Sequence, residues 1–202
     1  MILSIDQLAP KLWLGLWHIT ETPAQLYAQY AFLRPYEAQL NAKYKNDSRK
    51  QEFLCVRALL HHMLPGEKQA VITHESSGRP VLSNNWQLSI SHTRGYAALI
   101  LSEHQTVAVD IEYTSNRVER IAHKFIRYDE HAPTVVDKLL NWSAKETTYK
   151  YYSAENLQYF DMRVTAHDRF LSVENLKRGV ELKVFYRIEA PYILTYSYHE
   201  MP

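Results

Sequence analysis

The chain has 202 residues, 46% of them hydrophobic and 22% charged, and a formal net charge of +1. That length supports one large domain or two small ones around a substantial core, and the near-neutral balance gives no long-range attraction toward nucleic acid or membranes. Cys55 is the single cysteine, so no internal disulfide can form; a reducing, cytoplasmic setting is expected, with no charged-then-apolar leader and no run of the roughly 18 apolar residues that a membrane span needs.

In chain order, KLWLGLWH (11–18) reads as a strand. Thr22 as N-cap and Pro23 at the first helical position predict a helix running toward Lys43 and kinked or broken near Pro35. A second helix is expected over 48–64, where Phe53, Val56, Leu60 and Met63 recur at helical spacing. The pattern then changes to short strands. QAVITH, the turn-rich ESSGRP, WQLSISH, YAALILS and TVAVDIEY follow one another over 69–113 and predict an antiparallel meander.

Residues 118–127 return to helical spacing through Val118, Ile121, Ala122 and Phe125, and a longer helix is expected over 134–152. The last fifty residues read as strands again, and Val180, Leu182, Val184, Tyr186 and Ile188 alternate with mostly charged positions. Alternation resumes through Tyr192, Leu194, Tyr196 and Tyr198, predicting a hairpin about Ala190 and Pro191. Helices and strands thus occur twice over, an α+β pattern in two halves, 1–106 and 107–202. Neither GxxxxGK[ST] nor GxGxxG occurs, which argues against a glycine-rich phosphate loop.

Three stretches carry chemistry. In TVAVDIEY, Asp110 and Glu112 share one face of a strand, with Cα atoms about 6.5–7 Å apart, while Val107, Val109 and Ile111 face the other way. Two carboxylates so placed repel unless a cation or water separates them. A hard ion such as Mg2+, which takes a few carboxylates plus phosphate oxygens, suits them; a plain solvent-facing strand edge also accounts for the pattern. In SISHTRG (89–95), Ser91 and His92 sit near a strand end and offer groups for a phosphate or a base edge, or are ordinary turn residues. In NWSAKETTYK (141–150), Trp142, Lys145, Glu146, Tyr149 and Lys150 fall on one helical stripe. Glu146 and Lys150 alone fit an exposed i, i+4 pair. That leaves Trp142 and Lys145 unexplained, and the mixed stripe predicts the wall of a polar site.

The order SISHTRG, then VDIE, then WSAKETTYK resembles the 4′-phosphopantetheinyl transferases, and is most similar to their surfactin-synthetase type, a two-halved monomeric branch. SSGRPVL is similar to the family's Gly-Lys-Pro turn, RVERIAHKF to the helix after its acidic strand, and SRKQEFLCVRALL to its arginine-bearing helix, so the resemblance spans about 48–150. It implies two similar α/β halves in pseudo-twofold arrangement, each an antiparallel sheet packed on helices, the second carrying the acidic motifs. It also implies transfer of the phosphopantetheine arm of coenzyme A to a serine of an acyl or peptidyl carrier protein, with release of adenosine 3′,5′-bisphosphate.

By the same resemblance Asp110, Glu112 and Glu146 are the Mg2+ ligands, and Glu146 and Lys150 are catalytic. Arg49, Arg57, Arg79, Ser91, His92, Asp110, Lys145 and Lys150 are the coenzyme A contacts. Three departures stand out: Ala108 where the family has glycine, a short connection from Phe125 to Trp142, and no glycine-rich turn after Lys150. A non-transferring binder of coenzyme A or of a carrier, and a Mg2+-dependent phosphoesterase, remain as alternatives.

Overall fold

The computed structural model describes residues 1–64 and 70–199, and is α+β, with antiparallel sheets packed against four helices. Strands β1 (Ile2–Ala9), β2 (Leu12–His18), β5 (Gln87–Thr93) and β6 (Tyr96–Ser102) form one sheet in the order β1-β2-β6-β5. The tight turn into β6 needs Gly95, whose φ of 76° lies in the left-handed region.

Between β2 and β5 come helices α1 (Pro23–Gln29), α2 (Glu37–Lys43) and α3 (Asp47–Met63), and a small ladder of β3 (Ile72–His74) with β4 (Pro80–Leu82). The expected break falls at a 3-10 segment, Ala31–Tyr36, which contains Pro35. The expected strand over 69–74 is observed only as β3; Gln69 lies outside the described residues.

On α3, Leu54, Ala58 and Leu59 are fully buried and pack with Trp17, Ala97 and Leu99 in the core beneath the first sheet. The helix is seated closely because Gly15 of β2 has no side chain: a Cβ there would stand 2.5 Å from Met63 Sδ and 3.0 Å from Leu59 Cδ1.

Strands β7 (Val107–Tyr113), β8 (Met162–Ala166), β9 (Phe170–Asn175), β10 (Val180–Glu189) and β11 (Tyr192–Tyr198) form a second sheet in the order β7-β11-β10-β9-β8. Helix α4 (Val135–Tyr151) packs against it. A capping box starts α4: Thr134 accepts from the Asp137 amide and the Asp137 side chain accepts from the Thr134 amide. The hairpin turns at Ala190–Pro191, a cis bond.

The meander is corrected. Strand β7 does not continue the first sheet antiparallel to β6; it pairs with β11 instead. It still lies alongside β5, and the contacts ascend together in both strands, so the two run parallel. The Val109 amide donates to Ser89 Oγ (3.1 Å) and the Tyr113 amide to Thr93 Oγ1 (3.1 Å). Side-chain hydroxyls of one strand thus satisfy backbone donors of the next, where a regular ladder would use carbonyls.

A third apolar cluster fills the space between the sheets: Leu12, Leu14, Leu16, Ala98 and Ile100 meet Val107, Val109, Ile111 and Leu194. The expected helix over 118–127 is also corrected. It is two short 3-10 turns, Asn116–Arg120 and Ala122–Lys124, because only part of the supposed stripe finds a core: Val118 and Phe125 are buried while Ile121 is exposed. Among the described residues no helix is long and apolar enough to cross a membrane.

Candidate active site

Asp110 lies mid-strand on β7, buried to 4% exposure, where the strand is flanked by β5, β11 and α4. Three donors reach it. Ser91 Oγ of β5 donates to Oδ1 (2.8 Å), Ser143 Oγ of α4 to Oδ2 (2.8 Å), and Lys150 Nζ to Oδ1 (2.7 Å). Lys150 Nζ also donates to the Val109 carbonyl at 2.9 Å, so the ammonium is fixed against β7. A buried carboxylate is tolerable only with such partners.

Glu112, two residues on and on the same face, accepts from Trp142 Nε1 at 2.8 Å. Glu146 accepts from the Tyr159 hydroxyl at 2.7 Å. The two donors belong to one aromatic cluster: the Trp142 ring lies 4.9 Å from Phe125, edge to face, and 5.0 Å from Tyr159, tilted, between centroids. Burial pushes the Glu112 carboxyl up to about 7, reinforced by the charges of Asp110 and Glu146 and opposed by the Trp142 hydrogen bond and Lys150. Glu146 is raised as well, first by burial, with the Tyr159 hydrogen bond working against the shift. Three carboxylates thus share one ammonium.

That excess of negative charge and its all-oxygen donor set fit a hard divalent cation in kind. The arrangement itself is not a finished ligand cage. Among the described residues no three carboxylate, imidazole or thiol groups converge closely enough to hold an ion, and the position on Asp110 that a cation would contest is held by Lys150.

The other expected contacts divide. Arg79 donates to Gln87 Oε1 (3.0 Å) and shares with Lys150 and Tyr149 the lining of a cavity of about 300 Å3 beside β5 and β7. Arg49 and His92 come together on Glu52, at 2.8 and 3.5 Å. Two expectations are corrected. Lys145 does not face the acidic cluster: its side chain is wholly buried, donating to the Phe125 carbonyl (2.6 Å) and to Glu130 (2.8 Å). Burial depresses its pKa and Glu130 opposes that shift, which makes it an internal tie. Arg57 is buried too, its guanidinium 3.2 Å from the Phe53 ring centroid and donating to the Phe53 carbonyl (3.1 Å). Its Nε is buried without a hydrogen-bond partner among the described residues.

Ser143, Tyr159, Glu130 and Glu52 were missed. Ser143 had a signal, since it lies one residue past Trp142 inside the motif stretch. Glu52 had one as well, standing three residues after Arg49 on the same helix; Tyr159 and Glu130 show their roles only through contacts with α4 made across the fold.

On the far side of the acids from the 300 Å3 cavity, a groove of about 830 Å3 is bounded by Glu112 and Trp142. The carboxylates therefore stand between two concavities, one reached by Lys150 and Arg79, the other by Glu112.

Residues 37–102 match the family of 4′-phosphopantetheinyl transferase N-terminal domains, 66 of the 202 residues. The matched segment runs from α2 through β6, including Arg49, Arg79, Ser91 and His92, and stops short of β7 and α4. No curated protein matches the chain.

Proposed function

We propose that this chain transfers the 4′-phosphopantetheine arm of coenzyme A to a serine hydroxyl of an acyl or peptidyl carrier protein. The observation that carries the reading is the Ser91–Asp110 hydrogen bond at 2.8 Å. It joins the segment that matches the transferase family to the three carboxylates and Lys150 outside that match.

Asp110, Glu112 and Glu146 would hold a Mg2+ ion, which would neutralise charge on the diphosphate oxygens of coenzyme A. Lys150 and Arg79, around the smaller cavity, receive the anionic diphosphate; Arg49 and His92, gathered on Glu52, lie on the same matched segment for the remaining phosphate. The serine oxygen forms a bond to the pantetheine-side phosphorus. The bond from that phosphorus to the bridging oxygen breaks, and adenosine 3′,5′-bisphosphate leaves. Glu146, its carboxyl raised by burial and oriented by Tyr159, takes the serine proton. Lys150 meets the charge that develops on the departing oxygen. The division into functional halves at 106/107 belongs to this proposal, as do pseudo-twofold symmetry, cytoplasmic action and a monomeric state.

A second reading is favoured by one observation, the Lys150–Asp110 pairing without a convergent ligand set among the described residues: a member that binds coenzyme A or a carrier without transfer. Incubation with coenzyme A, Mg2+ and an apo carrier, followed by mass spectrometry of the carrier, separates the two. Transfer predicts a phosphopantetheine increment that EDTA abolishes. Glu146→Gln should lower the rate by at least about 100-fold, the scale of a positioned acid–base group, with circular dichroism unchanged. Coenzyme A binding with no increment on any carrier selects the second reading.

A further inference from the structure

Three hydroxyls lie fully buried where α4 meets the second sheet: those of Ser143 and Thr147 on α4 and of Thr195 on β11. Thr195 stands directly across from Asp110 in the β7–β11 register, and both side chains reach Ser143. Alanine or valine would fill these places without the cost of burying polar atoms. What the hydroxyls add is a set of bonds. Ser143 Oγ lies 2.8 Å from Thr195 Oγ1, and Thr195 Oγ1 lies 2.7 Å from Thr147 Oγ1. With Asp110 they make one buried chain.

The chain has a direction. A hydroxyl has one proton to give and lone pairs with which to accept. Ser143 gives its proton to Asp110 Oδ2 (2.8 Å), so toward Thr195 it can only accept. Thr195 gives its own to Ser143, at Oγ (2.8 Å) or at the carbonyl oxygen (3.0 Å), so toward Thr147 it can only accept. The O–H dipoles therefore run from Thr147 through Thr195 to Ser143 with their positive ends toward the carboxylate, and each bond strengthens the next.

The two oxygens of Asp110 are held differently. Oδ1 takes Ser91 and Lys150, and Lys150 is 26% exposed and lines the 300 Å3 cavity. Oδ2 takes Ser143, the head of a chain with no solvent-facing member. Partners can exchange at Oδ1. At Oδ2 they cannot, because the space around Ser143 is close-packed interior.

Resting on the transfer reading above, we propose that Thr195 and Thr147 are positioning residues for Asp110. They fix Ser143, and Ser143 fixes Oδ2, so that Oδ1 can release Lys150 and accept a divalent cation without the carboxylate turning. The same anchor holds Asp110 while Lys150 is drawn to the diphosphate. Groups that orient a metal-binding side chain from behind govern affinity by about tenfold to 100-fold.

The test is titration of the full-length protein with Mn2+, which takes the same oxygen ligands as Mg2+, with the free ion read by electron paramagnetic resonance. The parent is compared with Thr195→Val, which keeps the shape and removes the hydroxyl, and with Thr195→Ser, which keeps the hydroxyl. Thr195→Val should weaken Mn2+ binding about tenfold or more, and Thr195→Ser should stay within about twofold of the parent. The Mg2+ needed for half-maximal carrier loading should rise in step with the Mn2+ constant. A Thr195→Val protein that melts lower yet binds Mn2+ within about twofold of the parent overturns the proposal, since the hydroxyls would then only tie α4 to β11. Equal losses in the valine and serine variants overturn it too, as does a parent that binds no Mn2+. If Thr195→Val does not fold, Thr147→Val decides: weaker Mn2+ binding sustains the anchor and unchanged binding overturns it. Should the parent bind Mn2+ and load no carrier, the transfer reading fails by itself, and the Mn2+ comparison still judges the anchor.

Discussion

Glu112 stands near the end of β7, close enough to Asp110 and Glu146 for both charges to disfavour its own. Its carboxyl titrates near 7 in the fold, above the ordinary 4.5. Between those values the folded protein retains a proton that the unfolded chain has released, so stability falls as pH rises through the window. The penalty is absent below the unfolded value and complete above the folded one. Glu112→Gln removes the charge but keeps an oxygen for Trp142 Nε1. We expect it to raise stability at pH 8 by on the order of 2 kcal/mol, roughly 4–8 °C in melting temperature, and to gain almost nothing at pH 4. Millimolar Mg2+ should stabilise the parent protein more than this variant. A Glu112→Gln protein that melts below the parent at pH 8 would show that the carboxylate is satisfied as it stands.

At the scale of elements, α3 and β2 are fitted through a glycine. Leu12, Leu14 and Leu16 face the inter-sheet core, so Gly15, between Trp13 and Trp17, faces α3. Gly15→Ala forces Met63 and Leu59 aside, and overpacking of this kind costs about 1–3 kcal/mol. Because the Met63 thioether is the nearest obstacle, Met63→Ala in the same chain should recover part of the loss. Urea unfolding of both single variants and the double should give less than the sum of the single costs; strict additivity would mean that the two residues do not meet.

This level of the fold was largely legible in the sequence where local signals and burial agree. Helix α4 announces itself with its stripe, and β10 and β11 alternate cleanly. Strand β1 was not legible because Ile2–Leu3 and Leu8–Ala9 place apolar residues side by side, against a period of two. Strands β8 and β9 fall in the last fifty residues, which read as strand, but no bounds for them were legible; β8 buries only Met162 fully and shows little pattern. The 118–127 stripe misled because spacing records what a helix would bury, not whether a core lies beneath it. At the candidate site, the strand and helix spacings group Asp110 with Glu112 and Glu146 with Lys150. Nothing local tells that Lys145, one residue before Glu146, turns inward to Glu130 or that Tyr159 turns back to Glu146.

For the whole molecule the decisive feature is the apolar cluster between the sheets, to which both sides of residue 106 contribute. Leu12, Leu14, Leu16, Ala98 and Ile100 supply one wall, and Val107, Val109, Ile111 and Leu194 the other, each at 5% exposure or less. Arg187 on β10 adds a 2.7 Å bridge to Asp6 on β1, and Ser89 and Thr93 take the amides of Val109 and Tyr113. Cutting the chain there would expose a contiguous apolar face on each fragment and leave buried donors on β7 without acceptors, a patch of the kind that drives association. Residues 1–106 and 107–202 produced separately should therefore bind a hydrophobic dye and melt without a sharp transition. Co-expression should return a one-to-one complex whose circular dichroism resembles the intact chain. A fragment that is monodisperse and unfolds cooperatively by itself would show that the inter-sheet cluster is an accessory contact. Its Ser91–Asp110 link would then join two autonomous domains instead of arising from a shared core.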